Sequence, residues 1–161
     1  MAKELRKSAL RVQECLSALG VELEVREFAD STRTARDAAD CVGCEVGQIA
    51  KSLVFQETNS GGLFLVIASG ANRVDTKKIE KSLACKLKQA KAEVVKEKTG
   101  YAIGGVPPVG HAEVLPTVLD EDLKQHEVIW AAAGTPFAVF QLTPALLETI
   151  TKGQWLDLRQ E

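Results

Sequence analysis

The sequence predicts an α+β fold in which a curved, mixed β-sheet is surrounded by helices. Segments with the three- and four-residue apolar spacing of helices occur at the start, in the middle and at the end of the chain. Strand-like segments joined by turn-forming residues lie between them. This mixed order, with several hairpins, is typical of an α+β protein.

The composition is that of one globular domain. The chain has 161 residues, of which 45% are hydrophobic and 26% charged, with no internal repeat or linker. We therefore expect a single domain over residues 1–161. A net charge of −2 argues against a protein that coats DNA or RNA by general basicity.

No targeting or membrane segment is evident. The N-terminal residues contain no apolar stretch of the kind found in signal peptides, and the longest apolar run, residues 63–68, is too short to cross a bilayer. We expect a cytoplasmic protein with no membrane partner.

The N-terminal third contains two predicted helices and a strand. Apolar spacing predicts a helix over about residues 3–19, which Gly20 would end. Alternation over residues 21–25 predicts a half-buried strand that ends at Phe28. A second helix would begin after Thr34 as N-cap and end at Gly43, with one further turn at residues 46–49.

A hairpin is predicted next. Residues 51–55 and 63–69 read as strands, and the turn formers at 59–62 connect them. The second strand is almost wholly apolar, which favours a central strand buried on both faces. Lys51 begins the first strand among apolar neighbours, where a lysine either extends its amine to solvent or has a function.

A lysine-rich segment follows. Asp75 is the predicted N-cap of a helix, and residues 77–98 carry eight Lys against three Glu. This excess of positive charge is either a solvated face or a patch that meets phosphates. A short strand is expected within residues 85–90 and a short helix over 94–99.

The last third is predicted to hold three strands and two helices. In order, these are a strand at 114–119, a short helix at 120–125 capped by Asp120, strands at 128–134 and 137–142, and a helix at 143–150, after which Trp155 closes the fold.

The loop at residues 99–111 has the most unusual composition. It holds four Gly and two Pro, which no regular helix or strand tolerates. Such a loop is stiff, and it could either form one wall of a small-molecule site or simply join two elements. We refer to it as the glycine–proline loop.

The residues alone leave the enzyme class undecided. Glycine-rich phosphate loops of the Rossmann and Walker types are absent, as is the Gly-x-Ser-x-Gly turn of many hydrolases. The four cysteines are expected to be free thiols in a cytoplasmic chain. Cys41 and Cys44 form a C-x-x-C pair, but two further ligands at zinc spacing are missing, so we expect no metal.

Four segments together resemble the YbaK family, the free-standing relatives of the prolyl-tRNA synthetase editing domain. The resemblance covers nearly the whole chain and is supported by Asn-Arg-Val-Asp at 72–75. The segments are Thr-Ala-Arg-Asp-Ala-Ala at 34–39, Ile-Ala-Lys-Ser-Leu-Val-Phe at 49–55, the glycine–proline loop, and Trp-Ala-Ala-Ala-Gly at 130–134.

The resemblance implies both a fold and an activity. The fold would be a barrel-like mixed sheet with flanking helices and a crevice beside the glycine–proline loop. The activity would be hydrolysis of the ester that joins a wrong amino acid to the 3′ end of a tRNA, without a cofactor. The implied partners are aminoacyl-tRNA, with tRNA(Pro) expected, and prolyl-tRNA synthetase.

The same resemblance implies site residues. Lys51 would be the key charged residue, anchoring the phosphate of the terminal adenosine or the ester end of the substrate, with Gly104 and Gly105 offering backbone groups near the ester. The neighbouring hydroxyl of the tRNA itself could assist the attacking water. Phe28, Thr34 and Ala132 would line the amino-acid pocket. Further substrate contacts are assigned to Asn72, Tyr101, Pro107, His111 and Gly134, and RNA contacts to Lys77, Lys78 and Lys81.

One departure from the family pattern leaves the amino acid open. Members specific for cysteinyl-tRNA(Pro) carry a Ser-Gly-Gly type segment where this chain has Ala132, Ala133 and Gly134. Without the serine hydroxyl, cysteine, alanine, serine and threonine are all candidates. The alternative function is a non-catalytic module that holds a tRNA end or an amino acid as the partner of a synthetase.

We predict that the double variant Cys41→Ser, Cys44→Ser keeps its fold and activity, because the pair lacks the other ligands of a zinc site. The measurement is metal analysis of the purified protein beside a deacylation assay. Stoichiometric zinc in the wild type that disappears in the double variant would overturn this prediction.

Overall fold

One mixed sheet of eight strands organises residues 7–161, the part of the chain that the structure, a computed structural model, describes. Five α-helices and two short 3₁₀ helices accompany it. The elements are α1 (Lys7–Ala18), β1 (Val25–Glu27), α2 (Ala35–Val42), a 3₁₀ helix (Val46–Gln48), β2 (Ile49–Glu57), β3 (Leu63–Ser69), α3 (Thr76–Leu83), β4 (Leu87–Gln89), α4 (Ala92–Thr99), β5 (Thr117–Asp120), a 3₁₀ helix (Glu121–Gln125), β6 (Ile129–Ala132), β7 (Ala138–Leu142), α5 (Pro144–Thr151) and β8 (Gln154–Leu156).

The strand order is β1-β7-β6-β2-β3-β5-β8, and β4 also pairs with β2. The pairs β2–β6, β3–β5 and β5–β8 are parallel, whereas the others are antiparallel. Hairpins and crossovers are thus combined in one sheet. The prediction of an α+β fold with a mixed sheet is confirmed.

The longest strand, β2, is left unpaired along part of one edge. On that edge β6 meets only Ile49 and Ala50, and β4 meets only residues 55–57. Between them, residues 51–53 have no strand partner on this side. We call this stretch the β2 gap.

The backbone of Ser52 faces into the β2 gap. Along the other edge, the Ile49 carbonyl accepts from Gly70 N at 2.7 Å, and Glu57 N donates to the Gly62 carbonyl at 2.8 Å. Because backbone groups alternate between the two edges of an antiparallel strand, the odd-numbered residues of β2 bond to β3. The N–H and C=O of Ser52 therefore point toward the gap.

The core lies on both faces of the sheet. Alternate residues of β2 and β3 point to opposite faces, as in any pleated sheet. One face buries Val54, Leu65 and Ile67 against α1, α4 and α5. The other face buries Phe55, Val66 and Ala68 against α3, while α2 packs over the start of β2. Burial on both faces explains the nearly continuous apolar sequence of β3.

Several boundaries agree with the sequence analysis. β3 spans the predicted residues. Thr34 is the N-cap of α2, and its hydroxyl accepts from Asp37 N at 3.0 Å. Asp120 caps the 3₁₀ helix that follows it by accepting from Asp122 N. Gly43, with a φ of 75°, ends α2 in the left-handed conformation.

Two predicted strands begin later in the chain than expected. The first spans Val25–Glu27 rather than starting at Val21, because its pairing with β7 begins at Val25. The strand expected from Val114 begins at Thr117, where pairing with β3 starts, and Val114 is 98% exposed. The part of the predicted first helix before Lys7 lies outside the described residues. In residues 7–161, no helix has the length and apolar character needed to cross a bilayer.

We predict that Gly134→Ala destabilises the protein far more than Gly43→Ala. Both glycines have positive φ, so each substitution carries a backbone cost of about 1–2 kcal/mol. A Cβ at Gly134 would also lie 2.6 Å from the Ser8 carbonyl oxygen, whereas a Cβ at Gly43 meets nothing within 4 Å. Overpacking adds about 1–3 kcal/mol at Gly134.

The measurement is urea unfolding of both variants, and Gly43→Ala serves as the control for backbone strain. Equal losses in the free energy of unfolding would show that α1 moves aside at no cost.

Candidate active site

A cavity of about 230 Å³ opens at the β2 gap. It lies between the start of α2, the edge of β2, the end of β6 and the glycine–proline loop. Its walls are formed by residues 32–35 and Ala38, residues 49–53, Ile103, Gly104 and Val106, residues 130–132, and Val139. The cavity exists because β6 and β4 are too short to cover the whole edge of β2.

The glycine–proline loop is held by its own hydrogen bonds. Tyr101 is 1% exposed, and its hydroxyl donates to the Gly110 carbonyl at 3.0 Å. His111 Nε2 lies 2.7 Å from the Pro107 carbonyl oxygen. At the cavity side, Gly134 N donates to the Gly105 carbonyl at 2.8 Å. These bonds give the loop the stiffness that its composition predicts.

Lys51 lies in the β2 gap and its amine is positioned by the turn after β3. Lys51 Nζ donates to the Asn72 carbonyl at 2.9 Å. Burial lowers the pKa of Lys51 from its ordinary value, while the charge of Asp120 opposes that change. The lysine therefore keeps a polar contact although it is partly buried.

Asp120 fixes the turn that holds Lys51. Asp120 is fully buried, and its Oδ2 accepts from Ser69 N at 3.0 Å and from Asn72 Nδ2 at 2.8 Å. Asn72 Nδ2 also donates to Asp122 at 2.8 Å. Asn72 thus connects the buried carboxylate to Lys51, and it acts from outside the cavity wall.

Arg33 lies across Gly104 at the cavity. A Cβ on Gly104 would lie 2.5 Å from Arg33 Cγ, and Gly104 has a φ of 93°. The positive φ favours glycine at this position. The Arg33 side chain is exposed and forms no ion pair with any of residues 7–161. Two cations, Lys51 and Arg33, therefore line the cavity.

Two hydroxyl groups of the cavity wall have no hydrogen-bond partner. They are Thr32 Oγ1 and Ser52 Oγ, which are both buried and unpaired among the described residues. Thr34 also lines the cavity, but its hydroxyl is used in capping α2. An unpaired buried hydroxyl costs about 1–3 kcal/mol, so a bound polar group would recover stability here.

The cavity wall lacks the side chains that usually act as nucleophile or base. Its lining contains no Asp, Glu, His or Cys, and its titratable groups are Lys51 and Arg33. His111 lies elsewhere, and burial lowers its pKa. Burial also raises the pKa of each of the four cysteine thiols, which disfavours the thiolate. The arrangement can position a substrate and attract negative charge.

The structure brings four of the assigned residues together in the cavity wall: Lys51, Thr34, Gly104 and Ala132. Phe28 instead packs behind the wall, with Trp130 in the same apolar cluster.

The remaining assignments surround the site or lie away from it. Tyr101, Pro107, His111 and Gly134 brace the glycine–proline loop, and Asn72 holds Lys51. The amide of Gly105 is also used inside the loop, since its N–H donates to the Ala102 carbonyl at 3.0 Å.

The three assigned RNA-contacting lysines differ in their surroundings. Lys77 and Lys81 are exposed and line a shallow depression beside α3. Lys78 is engaged with the C-terminal residues, because its Nζ lies 3.2 Å from Asp157 Oδ2 and 2.8 Å from the Arg159 carbonyl oxygen. Lys77 and Lys81 are therefore the two that remain accessible to a phosphate.

Sequence reasoning missed Thr32, Arg33, Ser52 and Ile103 in the cavity wall. Ser52 and Arg33 are direct neighbours of Lys51 and Thr34, so adjacency to assigned residues was the available signal. No sequence pattern marks a hydroxyl as unpaired, because that depends on what surrounds it in the fold.

Comparison with known proteins identifies the family of the chain. Residues 29–150 match the family model described as the aminoacyl-tRNA editing domain. A crystal structure of a proposed trans-editing enzyme for prolyl-tRNA synthetase is similar, with 49% sequence identity and a TM-score of 0.93, covering 98% of this chain and all of that one.

Two curated proteins are also similar in sequence. YwhH of Bacillus subtilis, an uncharacterised protein, is 33% identical over 85% of this chain and 87% of its own. EbsC of Enterococcus faecalis, a proposed Cys-tRNA(Pro)/Cys-tRNA(Cys) deacylase, is 28% identical over 98% of both chains. Since the family model matches well over half of the sequence, the chain belongs to the aminoacyl-tRNA editing domain family, as its four motifs predicted.

Proposed function

We propose that this protein is a trans-editing deacylase that removes a small wrong amino acid, namely Cys, Ala, Ser or Thr, from tRNA, with tRNA(Pro) as the expected substrate. The enzyme class follows from the family and agrees with the names of two relatives. The observation that carries the proposal is the cavity at the β2 gap, which has two cations and no acidic, imidazole or thiol group in its wall.

The size of the cavity supports a small aminoacyl group. A synthetase pocket separates side chains that differ by one methylene by only about 1–3 kcal/mol, so a second, hydrolytic pocket adds discrimination. Here Ile49 and Trp130 are buried in the wall and limit the space to about 230 Å³. A small side chain fits this space, and we place the terminal nucleotide outside it.

The cations support a substrate with a phosphate close to the ester. Lys51 lies within the cavity wall and Arg33 lies across the loop glycine at the same wall. A compact ammonium held by one backbone carbonyl, as Lys51 is, can still donate two further hydrogen bonds. We assign Lys51 to the terminal phosphate or to the ester end of the aminoacyl group.

The proposed chemistry is direct attack of water on the ester carbonyl carbon. The carbonyl oxygen becomes an oxyanion, which donors at the cavity wall stabilise, and the bond to the ribose oxygen then breaks. The water loses one proton and the ribose oxygen gains one. Because no side-chain base lines the cavity, the neighbouring ribose hydroxyl of the tRNA would relay that proton.

The glycine–proline loop would contribute through Gly104. Gly105 has both backbone groups committed, its N–H to Ala102 and its C=O to Gly134, whereas Gly104 faces the cavity. Recruitment by prolyl-tRNA synthetase belongs to the same proposal, because a chain with a net charge of −2 has little general affinity for RNA.

We predict that Lys51→Ala lowers the single-turnover rate of deacylation roughly 100- to 1000-fold with the fold preserved, the usual cost of losing one preorganised contact in the transition state. Lys51→Arg should also be impaired, since a planar fork does not replace a compact ammonium. The substrate is mischarged tRNA(Pro), and a thermal melt accompanies each variant.

The matched control is Lys88→Ala, which removes an exposed lysine of β4, the other neighbour of the β2 gap. It should keep the wild-type rate. A folded Lys51→Ala protein whose deacylation rate is within about threefold of the wild-type rate would contradict the assignment of Lys51 to the site. Binding of charged tRNA without any hydrolysis by the wild type would instead identify a non-catalytic module.

We predict that Lys77→Glu with Lys81→Glu raises KM more than it lowers kcat, because the two exposed lysines would contact phosphates away from the ester. The effect should shrink as salt rises. Lys124→Glu with Lys152→Glu carries the same change of net charge near α5 and should leave KM unchanged. Equal KM values for both double variants would show that the lysines of α3 form only a solvated face.

A further inference from the structure

We infer that the aminoacyl side chain accepted by the cavity carries a hydroxyl group, so that serine and threonine are removed in preference to alanine and cysteine. This inference rests on the proposed deacylase function and narrows its substrate. The residues that determine it are Thr32 and Ser52, whose buried hydroxyls lack partners in the described chain.

Thr32 is a buried residue of the cavity wall. It is 5% exposed, and its N–H donates to the Pro136 carbonyl at 2.7 Å, so that its backbone is fixed by the turn before β7. The same wall includes the apolar side chains of Ala38, Ile49 and Val139. The unpaired Oγ1 is therefore available to a polar group bound in the cavity.

Ser52 supplies the second hydroxyl from a different wall. It lies on β2 between Ala50 and Val54, which point into the same buried face of the sheet. Both residues line the same cavity, so a polar group bound there has both hydroxyls available to it. A ligand hydroxyl suits both, since it donates one hydrogen bond and accepts two.

The proposed function places the ester and the terminal nucleotide near Lys51, Arg33 and Gly104. The side chain is then the part of the substrate left to contact Thr32 and Ser52. A methyl group would leave both hydroxyls unpaired, and a thiol is a weak donor and acceptor. Sites built to bind a hydroxyl discriminate strongly against analogues that lack it.

Much of the remaining cavity wall is apolar. It includes the methyl groups of Ala35, Ala38 and Ala132. The side-chain hydroxyls of this wall that have no partner are therefore those of Thr32 and Ser52, since the Thr34 hydroxyl accepts from Asp37 N.

The test is single-turnover deacylation of tRNA(Pro) carrying Ser, Thr, Ala or Cys by the wild type, Thr32→Val and Ser52→Ala. We expect the wild type to favour Ser and Thr roughly tenfold or more over Ala and Cys. In each variant, the deacylation rate with Ser and Thr should fall roughly tenfold, and the rate with Ala should stay within about threefold of the wild-type rate. Neither variant should melt at a lower temperature, because each removes an unpaired buried hydroxyl.

Thr143→Val is the matched control. It removes a hydroxyl that caps α5 away from this cavity, so the variant should melt at a lower temperature and keep the wild-type ratio of serine to alanine rates.

Three outcomes overturn the inference. An equal loss on all four substrates would assign the two hydroxyls to the shared α-amino or ester group, and unchanged rates would assign them to bound water. A wild type that hydrolyses the four substrates without preference would refute the specificity while keeping the deacylase function. No hydrolysis of any of them would refute both.

Discussion

The buried carboxylate of Asp120 is the interaction on which the site depends. A fully buried charge is expensive unless hydrogen bonds satisfy it, and Asp120 accepts from the backbone of Ser69 and Asp122 and from the side chain of Asn72. These bonds join the end of β3, the turn after it and the 3₁₀ helix after β5. The Asn72 carbonyl then holds Lys51. A cation in an apolar strand is thus kept in place by an anion that it does not touch.

The lengths of three strands determine where the cavity lies. β2 has nine residues, whereas β6 has four and β4 has three, so the two shorter strands cannot cover one edge of the longer one. The uncovered part contains Lys51 and Ser52. The glycine–proline loop closes over it without pairing, because its glycines and prolines do not form a strand. Sheet architecture and loop composition together leave room for a ligand.

Much of the fold could be predicted because local signals decide it. The hydrophobic run of β3 and the cap at Thr34 depend on few residues nearby in sequence. The shift of β1 to Val25 could not be predicted, since its register is set by β7, more than 100 residues away. The same distinction holds for the cavity. Lys51 was conspicuous as a charge in an apolar strand, whereas Thr32 looks like any loop threonine until its neighbours are known.

The β2 gap also has a consequence for solubility. An unpaired strand edge bordered by apolar residues is a template on which another chain can add a strand, and proteins usually cover or charge such edges. Here the cover includes Ile103 and Val106, while the charge is Lys51. The backbone that admits a substrate is therefore the same backbone that could recruit a second copy into an aggregate. Ile103 and Val106 must therefore leave room for a substrate while they keep a second copy of the chain from pairing with β2.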